Sequence, residues 1–225
     1  YAGVDRAGKS ALIMVHDPPA TPEEPQLFAG RALTYYGRWT YKFEEAARQG
    51  ASGAILIHTD ESATYPWQVV QSSWSGTQYS IPAVPGAPRL ALKAWVTDRA
   101  AREIARRAGK DLDALRSAAV KRGARPVPLG IQASAAVTQT VAKRTSPNVI
   151  GVLPGTNPSQ AVVYTAHYDH LGIRSPQPGD QPGTDRIYNG AIDNASGLSG
   201  TLEVAQALSR ARVRPARTIY VLFTT

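Results

Sequence analysis

The chain has 225 residues, 43% of them hydrophobic and 19% charged, which supplies apolar material for a core and excludes an intrinsically disordered protein. It contains no cysteine, so disulfides and thiolate metal sites are excluded and any metal must be held by His, Asp or Glu. The net charge of +8 invites a nucleic-acid reading, and where that charge lies along the chain decides its weight.

The chain opens at Tyr1 inside a pattern, with no initiator Met and no signal peptide. No apolar run reaches the roughly 18 residues that would span a membrane. The 225 residues therefore read as an internal fragment. Ser10 to Val15 reads as a strand broken at Asp17-Pro18-Pro19, and a Pro-rich loop follows. From Arg38 to Gln49 the apolar positions Trp39, Phe43, Ala46 and Ala47 recur at helical spacing, with Gly50 placed to end the helix. Ala54 to His58 is a second strand, which makes a strand, helix, strand unit.

Residues 62–76 carry Tyr65-Pro66-Trp67 and Ser72-Ser73-Trp74 and read as an irregular aromatic loop packed onto its own domain. Ile81-Pro82-Ala83-Val84-Pro85 is an edge strand or an extended connection, because each proline removes a ladder donor. His16 and His58 flank turns and strand ends, where a hydrogen-bonded structural role is the commoner one.

Between Thr97 and Arg125 nine Lys or Arg face four acids, +5 of the total charge. The stretch reads as two short helices, with Asp98 and Asp111 as N-caps, Gly109 between them, and Ile104, Leu112 and Leu115 facing inward. Its arginines form a solvated face. The chain has no stacking-aromatic motif, zinc finger or helix-turn-helix signature, so no nucleic-acid partner is expected.

Past Gly130, Ile131, Ala133, Ala135 and Val137 alternate with small or polar residues as a half-buried strand does. Asn148 to Leu153 is the next strand, ended by Pro154-Gly155. Ala161 to Ala166 reads as a buried strand whose carboxyl end presents His167, the place where open α/β sheets put their ligands. The proline-rich stretch 174–186 is a surface loop beside that end. Asn189 to Gly197 then opens a helix with Leu198, Thr201, Leu202, Ala205 and Leu208 on one face, closed by Arg210, Arg212, Arg214 and Pro215.

An imidazole and a carboxylate presented from a strand end and a helix start suit zinc, which takes His nitrogen and Asp oxygen. Asp169, two residues beyond His167, is placed to accept the other ring N–H. One His and one Asp 26 residues apart also recur by chance, so spacing alone leaves a metal site and a structural pair both open.

The wording of the two segments goes further. Ala166-His167-Tyr168-Asp169-His170-Leu171-Gly172 and Gly190-Ala191-Ile192-Asp193-Asn194-Ala195-Ser196-Gly197 resemble the M28 family of zinc exopeptidases, in which a strand ending His-x-Asp precedes a Gly-Ala-x-Asp-Asn-Ala-Ser-Gly turn into a helix. The resemblance implies that His167 ligates one zinc, that Asp193 bridges two, and that Asp169 orients His167. It makes His170 a residue that lines or supports the loop. It also implies a cis peptide bond at Asp193-Asn194. Ile192 departs from the acidic residue the family often has there.

In the family the strand after this helix, here Thr218 to Phe223, leads to a Glu-Glu pair holding the general base and a further ligand; the sequence runs to Thr225 without it. The resemblance thus implies that the isolated fragment binds zinc weakly and is inactive. The phrase Phe43 to Ala54 and its arrangement also resemble the protease-associated domain that many M28 peptidases carry as an insertion.

The expected fold is α/β: a protease-associated-like domain over 1–96, a helical connector over 97–125, and a truncated M28-type catalytic domain, a mixed sheet with flanking helices, over 126–225. The implied activity is aminopeptidase, acting on peptide or protein substrates in a periplasmic or extracellular setting. A non-catalytic binding protein on this fold, and a relative with carboxypeptidase or glutaminyl-cyclase chemistry, share the same residues.

Overall fold

A computed structural model describes residues 4–29 and 33–225; Tyr1 lies outside them. Two compact units divide the chain, Tyr1–Ala136 and Val137–Thr225.

The first unit is built on a three-stranded parallel sheet in the order β1 (Ser10–Met14), β2 (Gly53–His58), β3 (Leu92–Thr97). Helix α1 (Trp39–Arg48) joins β1 to β2, the strand, helix, strand unit that its apolar spacing predicts. The sheet is covered on both faces, which is why β2 is nearly continuous in apolar residues. Ala54 and Leu56 pack with Val15, Phe43 and Ala46 on one side; Ile57 packs with Ala101, Ala105 and Leu112 on the other.

Four aromatic rings, Trp39, Phe43, Trp74 and Trp95, close the first of these clusters with centroids 5.7–6.2 Å apart. His58 is buried, with Nε2 2.9 Å from the Tyr65 carbonyl, and His16 Nδ1 lies 3.3 Å from the Asp17 carbonyl, both structural roles.

Several expectations for this unit need correction. Residues 62–76 are less irregular than expected: α2 (Asp60–Ala63) precedes α3 (Trp67–Ser73), which starts at the proline-led position after Pro66. The stretch around Ile81–Pro85 takes the second of its two expected forms, an extended connection with no ladder, leaving Ile81 90% exposed. Strand β3 was not anticipated.

The helices α4 (Asp98–Arg107) and α5 (Leu112–Ala119) pack on β2 and β3 inside the first unit. The N-cap of α4 is Thr97, whose Oγ1 accepts the Ala100 N–H at 3.2 Å. Asp98 is freed from capping and pairs with Arg102 and Arg116. Asp111 caps α5, accepting the Ala114 N–H at 2.7 Å. Glu103 pairs with Arg106 and Arg107, and Arg102 reaches Asp113, so much of this basic stretch is neutralised within its own helices.

The second unit carries a mixed three-stranded sheet in the order β4 (Val149–Leu153), β6 (Arg217–Thr224), β5 (Asn157–His167), with β4 antiparallel and β5 parallel to β6. Helix α6 (Gly197–Ser209) packs on β5 and β6, and Ala166 and Ile219 are buried. On the opposite face Ile150, Val152 and Val163 stand more than half exposed, so β5 is not the fully buried strand its composition suggests. Within α6, Leu198, Thr201, Ala205 and Leu208 are half-buried, whereas Leu202 turns to solvent, 49% exposed.

The alternation at 131–137 produces no strand. Residues 124–148 have no regular structure; they meet no ladder partner, and their small side chains bury too little area to hold one. Among the described residues no helix is long and apolar enough to cross a membrane.

Candidate metal centre

Strand β5 runs parallel to β6 until His167 pairs with Thr224, so His167 emerges at the carboxyl end of a parallel pair. The chain then leaves the sheet through Tyr168, whose N–H is held by the Thr224 carbonyl at 2.9 Å. It returns at Gly190, which has φ +66°, a left-handed conformation that glycine adopts without strain. A wide turn over Ala191–Ser196 follows, with extended backbone at Asp193 (φ −114°, ψ 90°) and a cis Asp193–Asn194 peptide.

That turn, and not the first turn of α6, holds the carboxylate. Asp193 sits four residues ahead of the helix and does not cap it; Asn194 Oδ1 accepts the Gly197 N–H at 3.1 Å instead. A Cβ at Gly197 would run into the Asn194 side chain, so this cap requires glycine there.

Three of the predicted residues meet. His167 Nε2 and Asp193 Oδ1 are 2.9 Å apart, and on the other side of the ring Nδ1 lies 3.0 Å from the Asp169 carbonyl oxygen and 3.3 Å from Asp169 Oδ1. The backbone carbonyl can only accept, so Nδ1 carries a proton. Nε2 faces an acceptor as well, so at 2.9 Å it donates to Asp193 from the doubly protonated ring, and a cation bound there would replace that proton and take the lone pair. The Asp169 carbonyl bond is the largest influence raising the His167 pKa above its ordinary value, and the Asp193 carboxylate adds to it. The group is open to solvent, with the side chains of His167 and Asp193 40% and 73% exposed.

The donor atoms suit a borderline cation, an imidazole nitrogen and a carboxylate oxygen converging on one point. Zinc takes about four ligands, and these supply two of them. Among the described residues no three His, Cys, Asp or Glu side chains converge to hold a metal ion.

His170 does not join the donors. It lines the same small cavity, together with Asn189, Gly190 and Leu198, and its ring meets Tyr188 edge to face at 6.2 Å. Tyr188 carried no sequence signal for this site, because its place depends on how the 173–187 loop closes.

Residues 148–225 match the model of peptidase family M28. No curated protein and no solved structure matches the chain.

Proposed function

We propose a metal-dependent aminopeptidase, proceeding from the premise that residues 148–225 belong to peptidase family M28. Peptidases of this family are generally zinc-dependent and act on peptides or proteins. What carries the reading is the convergence of His167 Nε2 and Asp193 Oδ1 at 2.9 Å, from a strand end and a turn 26 residues apart.

His167 would hold zinc through Nε2 while its Nδ1–H stays bonded to Asp169, which fixes the tautomer and the ring plane. Asp193 would offer its carboxylate from a turn held in place by the Asn194 cap. Two zinc ions bound there would polarise a scissile carbonyl and lower the pKa of a water. Asp169, committed to His167, is not free to act as general base. In this reading the first unit, whose core includes the helices Asp98–Arg107 and Leu112–Ala119, serves as a protease-associated unit, residues 124–148 lead on to the catalytic domain, and the whole is an exported enzyme.

A zinc competition titration tests the assignment of ligands. The reading expects His167→Ala and Asp193→Ala each to weaken zinc binding at least tenfold with folding intact, judged by circular dichroism. Equal zinc affinity in wild type and both variants would remove these residues from the metal site.

A further inference from the structure

The chain has four asparagines, Asn148, Asn157, Asn189 and Asn194. Asparagine is a thermolabile residue, because the backbone nitrogen that follows it can attack its side-chain amide. That attack requires a following residue that has an N–H, little bulk on that residue, and an N–H not already committed to a hydrogen bond.

Three of the four fail. Asn157 precedes Pro158, which has no N–H. Asn148 precedes Val149, a β-branched residue held in β4 opposite Phe223. Asn194 precedes Ala195, whose N–H is bound to the Gly190 carbonyl at 3.0 Å, and the Asn194 Oδ1 itself accepts the Gly197 N–H at 3.1 Å.

Asn189 meets every requirement. Gly190 follows it and has no side chain to crowd the attacking nitrogen. The Gly190 N–H donates no hydrogen bond among the described residues. Asn189 is exposed, and its side chain makes one long contact, Nδ2 to the Ile187 carbonyl at 3.4 Å, outside the usual range of about 2.7–3.2 Å.

We propose that Asn189 is a self-modification site, at which the side-chain amide is lost and an acid replaces it. The Gly190 nitrogen, once deprotonated, attacks Asn189 Cγ; an N–Cγ bond forms, the Cγ–Nδ2 bond breaks, and ammonia leaves with the proton. A water then opens the cyclic imide. Its attack at Cγ gives aspartate in the ordinary chain, and its attack at the main-chain carbonyl carbon of residue 189 leaves the peptide joined through Cγ, an isoaspartate. Water is the only co-reactant, and the step needs no metal and no peptidase activity.

The place of the residue gives the change its consequence. Asn189 lines the small cavity shared with His167 and Asp169, so either product adds a negative charge there. Isoaspartate also adds one atom to the main chain just ahead of the turn that presents Asp193.

The test is peptide mapping by mass spectrometry of the purified protein, held at physiological temperature in neutral and in mildly alkaline buffer. A synthetic peptide of residues 186–192 is held beside it and sets the rate without the fold. Residue 189 is expected to gain the mass of an amide-to-acid exchange at least tenfold faster than Asn148, Asn157 or Asn194 in the same sample, and faster in the alkaline buffer. The product should separate on chromatography into aspartyl and isoaspartyl forms. Asn189→Gln is expected to remain an amide, because its longer side chain must close a larger ring.

Conversion of the synthetic peptide with residue 189 of the protein no faster than the other three asparagines would overturn the proposal. So would conversion that yields no isoaspartyl form or does not quicken with pH, since the Gly190 nitrogen would then not be the attacking group.

Discussion

His167 is flanked on both ring nitrogens by acceptors, and the two acceptors have different work. Asp193 accepts from Nε2, the nitrogen whose proton a cation would replace; the Asp169 backbone carbonyl holds the opposite N–H. Removing the second should therefore cost less than removing the first. Because the main Nδ1 bond goes to the Asp169 backbone carbonyl, Asp169→Asn removes only the 3.3 Å carboxylate contact and is expected to lower zinc affinity by no more than about tenfold, the low end for disturbing a residue that orients a ligand; a competition titration with a chromogenic chelator reads it.

Gly190 is a second point where one atom matters. At φ +66°, with an added Cβ only 3.0 Å from the Asp193 carbonyl oxygen, Gly190→Ala should destabilise the turn by roughly 1–2 kcal/mol, measured by urea unfolding. His167, Asp169 and Asp193 were legible in the sequence because their motif words are local. The edge contact of His170 with Tyr188 was not, because it exists only once the 173–187 loop has closed.

At the scale of elements, the sheet of the first unit is the most tightly packed part of the chain. Leu56 on β2 has no exposed surface and packs with Phe43 and Ala46. Leu56→Ala is expected to cost about 2–5 kcal/mol in denaturant unfolding, while Val163→Ala on the open face of the second sheet, 55% exposed, should cost well under half as much.

The Arg174–Asp180 pair of the 173–187 loop gives a pH prediction. The Arg174 guanidinium and the Gln177 N–H hold the Asp180 carboxyl down to about 2, below its ordinary 3.8. A depressed folded pKa contributes stability that is complete above 3.8 and lost as pH falls towards 2. The protection of the Gln177 amide, its exchange measured against the intrinsic rate at each pH, should accordingly fall only below about pH 4; protection already lost at neutral pH would show that the Arg174–Asp180 pair is not formed.

Strands β1, β2 and β4 and helix α1 follow from period and turn chemistry, and β6 from the family resemblance. Strand β3 was missed although Leu92, Ala94 and Val96 alternate with Lys93 and Trp95, because the prolines before it mask its start. The alternation at 131–137 looked equally strand-like and forms none. Periodicity states which face a strand would bury, and only a neighbouring strand supplies the hydrogen bonds that make it one.

At the scale of the whole molecule, the two units are separated by 124–148, an exposed stretch without regular structure that carries Lys143 and Arg144. Brief trypsin treatment is expected to cut there first and leave two protected pieces. First cuts inside β2 or α1 would contradict the division. The basic character of the chain is also a whole-molecule property, and its densest stretch is laced by its own acids on α4 and α5.

The account stands most directly on the peptidase reading of the second unit. The decisive measurement is hydrolysis of an aminoacyl p-nitroanilide by the zinc-loaded protein expressed from its whole reading frame, beside Asp193→Asn at equal concentration. The account predicts turnover that a chelator abolishes and zinc restores, falling at least a hundredfold in the variant. Turnover insensitive to the chelator, or undiminished in Asp193→Asn, would contradict it.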